Sequence, residues 1–560
     1  MNTCGTEKAH RIRSISAGVC RSLPLSWIEP LRAFLIAALL GSISLGCHAG
    51  APPLEFPPGA QVLHLADRDD IPTLDPAIGY DTASWTFEQM IFDTLVRYSD
   101  TGVDLVPDAA ESWTISPDAR TFEFHLRHDL RFSNGRAVTV ADFKYAIERV
   151  LSPPTNSKGM EYYREILGAQ DFVAGRAASV PGIETPDPYT IIFHLSGPDP
   201  IFVHKLAMPF AAAVPREIVS QFGDDFFKHV VGSGPFMLRE WVGGQRLVLV
   251  RNPNYFIKGL PRLDALVDQI GVDDELEWLR FQAGEIDVSA IPPAEFPYVM
   301  KTPRLRDLTL RIVTLATDYL GMNCLMRPFN DVRVRRAFNY AIDRRKLIAV
   351  MNGRGVVARG VLPPGLPGFD PAIAGYSYDP AKARELLEAA GVGRNFAPQL
   401  WIRADQIEMI LAQSIQQDLA LVGVHAVIKP VAWPPLLEAI RQPNTADAFL
   451  LAWEADFPDP ANFLDVLFSR KQWGANNDTF YYNPRVDALL DQAATLGDLD
   501  KRYRLYAEAE QLIVNDAPWV FLYNPVTCVI RQPWVHDYAL NPMRPTRFEK
   551  VWLSPHRDKE

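Results

Sequence analysis

PQLWIRADQIEMILAQSIQQDLALVGVHAVIKPV, Pro398 to Val431, is the stretch whose reading decides the fold. PQLWIR has the composition of a short buried strand. Ile407, Ile410, Leu411, Ile415 and Leu419 then recur at helical spacing, and Gly423 ends the helix. VHAVIKPV reads as a second strand. A strand, a helix and a strand of these lengths make a βαβ unit with parallel strands, so the chain belongs to the α/β class.

The same signals extend outward. On the N-terminal side, SYDPAKARELLEAAG predicts a helix capped by Asp379, with Pro380 in its first turn and Gly391 past its end. On the C-terminal side, ADAFLLAW is an apolar strand, DKRYRLYAEAEQLIV a helix and PWVFLY a last strand. In the first half QVLHLA is a strand, and WTFEQMIFDTLVRY predicts a helix facing inward through Phe87, Met90, Ile91, Thr94 and Leu95. Phe122, Phe124 and Leu126 alternate with polar residues, as in a half-buried strand. Thr139 and Asp142 form a capping box for a helix over TVADFKYAIERVL.

The chain has 560 residues, 48% hydrophobic and 22% charged, enough for about three domains. Its net charge is -11 and no Lys/Arg-rich run follows residue 50, which argues against a nucleic-acid partner. No zincin, nucleophile-elbow, P-loop or dinucleotide motif occurs, so neither an enzyme nor a cofactor is expected. His125 and His128 fall on opposite faces of a strand and cannot share a metal. GSGPF, Gly232 to Phe236, reads as a tight turn.

Arg11, Arg13, Arg21 and Arg32 precede the apolar run Ala33 to Leu45, which has the length of a signal-peptide core and is too short for a membrane span. The export signal is placed at 1–49, and the protein is expected in the periplasm. Two processings stay open: cleavage after Ala49, leaving a soluble protein, or lipidation at Cys47, leaving one anchored to the membrane. Cys324 and Cys528 then remain in the body, read as single buried thiols rather than a pair.

Nine stretches, in order, carry a resemblance over nearly the whole mature chain. They are TLDPAIGYDTASWTFEQMIFDTLVRY, LVPDAAESWTISPDARTFEFHLRHDLRFSNGRAVTVADFKYAIERVL, VVGSGPFMLREWV, RNPNYF, LRFQAGEID, YLGMNC, PFNDVRVRRAFNYAIDRRKLI, LPPGLPGFDP and WEADFPDPANFLDVLF. Together they resemble the family 5 extracytoplasmic solute-binding proteins of ABC importers, the dipeptide- and oligopeptide-binding group. The resemblance implies a class II periplasmic-binding-protein fold, two α/β lobes joined by a hinge, with an extra subdomain in lobe one. The expected division is 50–95, 229–318 and 516–560 for the lobe-one core, 96–228 for the inserted subdomain and 319–515 for lobe two, with hinges near Leu95, Tyr319 and Ala517. It also implies a monomer that hands a short peptide to the importer's membrane permease. A nickel chelate, an opine or an oligosaccharide is the alternative solute. A hydrolase or chaperone on this scaffold is the alternative class.

Ligands of open α/β sheets sit beyond the carboxyl ends of the strands. Asp456 follows the strand ADAFLLAW, so it is aimed at the cleft, and the resemblance implies that this Trp-x-x-Asp aspartate, with Trp453 beside it, binds a ligand's α-ammonium. The other reading is an Asp-Pro turn, which is the role assigned to Asp459; Glu454 is read as solvated. Arg403 ends the strand QLWIR just before a helix N-terminus and is a candidate for a ligand carboxylate, the alternative being a surface arginine. Tyr80, Asp81 and Trp85 are candidates from lobe one, Asn323 from a hinge, and Trp433 from the end of the strand VHAVIKPV.

Overall fold

A computed structural model describes residues 54–393, 396–543 and 547–555. The expected export run Ala33–Leu45, Cys47 and Ala49 lie outside the described residues.

The βαβ unit forms as read. Strand Gln399–Arg403 runs parallel to Val427–Val431, with Leu400 opposite Ile428, and helix Gln406–Leu421 connects them. Asp405 caps that helix by accepting the Glu408 N–H at 2.8 Å. Leu411, Ile415 and Leu419 are buried, but Ile407 and Ile410 are 48% and 42% exposed. The apolar spacing is continuous along the helix, yet its first turn contributes no fully buried apolar residue before Leu411.

This unit is one end of a mixed sheet, in the order 288–290, 519–531, 316–322, 448–454, 399–403, 427–431. Ala448–Glu454 is parallel to Gln399–Arg403 and antiparallel to Ala316–Met322. Alternation sorts the side chains: Tyr319, Phe449, Trp519 and Phe521 enter one core, and Leu320, Leu450, Val520 and Leu522 the other. Both faces are covered, which is why these strands read as near-continuous apolar runs.

A second sheet has Val62–Asp67 parallel to Ala265–Ile270, followed by antiparallel Arg246–Arg251 and Phe236–Val242. An antiparallel sheet of Ala110–Ile115, Thr121–Leu126, Thr190–His194 and Ile183–Asp187 stands apart from it, with Phe122, Phe124 and Leu126 buried on one face. The Thr139–Asp142 capping box is present.

The helix expected over Trp85–Tyr98 is shorter and begins earlier, at Thr82–Ile91. Asp81 caps it, accepting the Ser84 N–H at 2.8 Å. Its end is set by tertiary partners. The Gly234 N–H takes the Ile91 carbonyl at 2.8 Å, and Val96–Tyr98 pairs with Leu105–Pro107. A Cβ on Gly232 would stand 1.9 Å from that same Ile91 oxygen, so the GSGPF turn is glycine-rich to let a helix end approach.

The 13-residue strand Trp519–Arg531 belongs to two neighbourhoods. Its first half pairs with Ala316–Met322, its second half with Thr309–Val313 and Val288–Ala290. Tyr319 stacks on Trp519 with ring centroids 3.4 Å apart, and Ala517 is fully buried. Leu95, the third residue expected near a hinge, is buried as well. Cys324 and Cys528 are free thiols.

Candidate functional site

Strand Ala448–Glu454 ends at the wall of a cavity of about 980 Å³. Asp456 is recessed in that wall. Its Oδ2 accepts three hydrogen bonds, from the Tyr80 hydroxyl at 3.1 Å, the Tyr162 hydroxyl at 3.2 Å and Asn462 Nδ2 at 3.2 Å. The second oxygen, Oδ1, takes none, and among the described residues no cation pairs with the carboxylate.

Asn462, on helix Ala461–Phe468, fixes the loop. Its Oδ1 accepts both the Asp456 N–H at 3.0 Å and Trp453 Nε1 at 3.2 Å. The tyrosines come from far along the chain. Tyr80 precedes the capped helix, and Tyr162 stands on the short helix Met160–Tyr163 beside the separate antiparallel sheet. Phe210 lies beneath both, its ring 5.7 Å from Tyr80 and 6.1 Å from Tyr162, while Trp85 meets Tyr80 edge-on at 5.6 Å.

Burial pushes the Asp456 carboxyl above its ordinary range, and the bonds from Asn462, Tyr80 and Tyr162 pull it part of the way back. Burial and the Asp456 charge both push the phenols up, so Tyr80 and Tyr162 remain donors. The result is a recessed negative charge in the cavity wall, oriented by neutral donors through one oxygen, with no hydrogen bond to the other among the described residues. That arrangement is suited to a cationic group that arrives without its water.

Six of the residues expected at the site line this cavity: Tyr80, Asp81, Trp85, Trp433, Trp453 and Asp456. Asp81 does so while capping a helix. Glu454, read as solvated, is half-buried in the cavity wall. Arg403 is not among the lining residues. Its Nε is held by Asp405 at 2.6 Å and its guanidinium lies 5.9 Å over the Trp433 ring, so the carboxylate that caps the next helix also captures the arginine. Asn323 is also elsewhere. It is 1% exposed, donating to the Pro443 carbonyl at 3.0 Å and accepting the Leu325 N–H at 3.1 Å, which makes it a fixed turn. Asp459 does more than shape its turn: it accepts the Ala461 N–H at 2.9 Å and makes a buried two-bond ion pair with Arg502, at 2.5 and 2.7 Å.

Tyr162, Phe210 and Asn462 were not found by sequence reasoning. Asn462 had a usable signal, since it lies only six residues past Asp456 in the same loop-to-helix stretch. Tyr162 had none.

A sequence model of the bacterial extracellular solute-binding proteins, family 5, matches residues 104–475. A haem-binding protein A of Haemophilus influenzae is 29% identical over 480 residues, covering 81% of this chain and 85% of that one. The dipeptide-binding protein of Escherichia coli is 28% identical over 489 residues, covering 82% and 88%. Among solved structures, the periplasmic binding protein DppA of Helicobacter pylori, in complex with the peptide STSA, superimposes with a TM-score of 0.74 at 27% identity, covering 88% of this chain and 98% of that one. The two-lobe class II architecture is shared with it. With the match covering most of its length, the chain belongs to the bacterial extracellular solute-binding proteins, family 5.

Proposed function

We propose that the protein is a periplasmic receptor that captures short peptides between two closing lobes and delivers them, as a monomer, to the permease of an ABC importer. The observation that carries this is the Asp456 carboxylate in the cavity wall, with one oxygen saturated by three neutral donors and no cation paired with it among the described residues. A peptide's α-ammonium supplies the missing cation, and it is present whatever the side chains are. The peptide in the Helicobacter structure and the name of the Escherichia relative support the reading. Export rests on the basic and apolar N-terminus, and two processings remain: cleavage after Ala49, or lipidation at Cys47, which a diacylglyceryl mass on Cys47 distinguishes. The two lobes close about the segments near Leu95, Tyr319 and Ala517.

Calorimetric titration tests this with di- to pentapeptides, their N-acetylated forms, haem, nickel and oligosaccharides. Free peptides are expected to bind one to one and to lose most of their affinity on acetylation. Saturable binding of haem, nickel or sugar with no peptide binding overturns the peptide reading. Small-angle scattering of the same samples is expected to show a smaller radius of gyration with peptide; an unchanged profile argues for a rigid preformed pocket.

The affinity is also expected to depend on pH on both sides. Asp456 must be charged to hold an ammonium, so binding weakens as pH falls through its raised folded value. It weakens again above about pH 8, where the α-ammonium loses its proton. Asp456→Asn is expected to weaken binding and to flatten both limbs, since both report the same ion pair; an acid limb that survives assigns it to another group.

A further inference from the structure

The same cavity holds a second carboxylate that the ammonium site does not use. Asp478 lines it and is only 8% exposed. It makes no hydrogen bond or ion pair among the described residues, and its Oδ1 is buried without a partner. The neighbouring residues carry the structural work of this loop. Asn477 donates to the carbonyls of Ser469 at 3.1 Å and Tyr481 at 3.0 Å and accepts the Tyr481 N–H at 3.1 Å, while the Thr479 carbonyl takes the Cys324 N–H at 2.8 Å. Asp478 is thus pinned in place by residues on either side while doing nothing for the turn itself.

Leaving a carboxylate buried and unpaired is costly. Burial pushes this one up to about 7, with Arg441 pulling it partly back from a distance that forms no ion pair. The surroundings do not compensate, because the cavity lining contains six Asp and Glu residues against three Lys and Arg. Lys205, one of those three, is already held by Asp199 at 2.6 Å.

We propose that Asp478 is a subsite for a second positive charge, which makes the receptor selective for peptides carrying a lysine or arginine side chain. The inference rests on the peptide reading above and deepens it. The ligand's α-ammonium goes to Asp456 and its basic side chain to Asp478, leaving other side chains unselected.

The test is a set of tripeptides in which lysine or its neutral counterpart methionine occupies each position of an alanine background, titrated into the full-length processed protein. The lysine peptide is expected to bind about tenfold tighter than its methionine counterpart at one position at least, as a charge-assisted hydrogen bond warrants. Asp478→Asn, equal in size, is expected to abolish that ratio, so that lysine and methionine peptides bind the variant equally. Ratios near one at every position in the unmutated protein overturn the proposal without touching the peptide reading, and so does a ratio that survives Asp478→Asn. Ratios near one that rise in Arg441→Ala also overturn it, by showing that Arg441 already satisfies Asp478. Failure of every peptide to bind removes the parent reading, and this one with it.

Discussion

Asp456→Ala weakens the binding of a free peptide on the order of a hundredfold or more. A charge-assisted hydrogen bond is worth about 1.5–3 kcal/mol, stranding a buried charge costs roughly 3–5 kcal/mol, and each 1.4 kcal/mol is about tenfold in affinity. The empty protein loses little stability, because the substitution also removes a recessed charge that has no cation of its own. N-acetylated peptides bind the unmutated protein weakly, and the substitution costs them much less. Calorimetry on free and acetylated forms, with and without the substitution, measures that coupling. Equal losses for both forms, or a large fall in the melting temperature of the empty protein, return Asp456 to a structural role in its loop.

Asp459→Ala, only three residues on, acts on folding instead. Arg502 and Asp459 have side chains 1% and 4% exposed and meet through two short bonds. Burial pulls the guanidinium down, but Asp459 more than reverses this and holds it above its ordinary value. Removing one partner leaves the other charged and enclosed, at a cost of about 3–5 kcal/mol. Replacing both, as Asp459→Leu with Arg502→Met, recovers most of that loss because no charge remains to be buried. Scanning calorimetry of the single and double variants decides the matter. A double variant as unstable as the single one shows that packing around Asp459, rather than its charge, holds the loop.

The contrast between these two aspartates shows what the sequence made legible. The strand before Asp456 and the βαβ unit beside it are written in local periodicity and turn residues, so the placement of Asp456 past a strand end followed directly. Its oxygen partners were illegible, since Tyr80 and Tyr162 are 376 and 294 residues away and become neighbours only in the fold. The Asp459–Arg502 pair was hidden for the same reason. Arg403 had two readings, a ligand partner or a surface arginine, and sequence did not separate them. Its position beside a helix N-terminus was read correctly, but Asp405, two residues on, both caps the helix and holds the arginine. The helix at Thr82–Ile91 was drawn too long because apolar spacing persists through Leu95, while strand pairing and the Gly234 N–H claim the backbone from Ile91 onward.

The strand Trp519–Arg531 has a bearing on when the molecule can form at all. It is an inner strand of the mixed sheet, flanked by 316–322 and by 288–290 and 309–313, yet it follows all of these partners in sequence. Until it emerges from the ribosome, the strands on either side of it have bare edges and no common neighbour. Such long-range pairing is slow to form. A chain built this way cannot complete its mixed sheet until this strand has been made, whereas the sheets within residues 62–270 draw no strand from it.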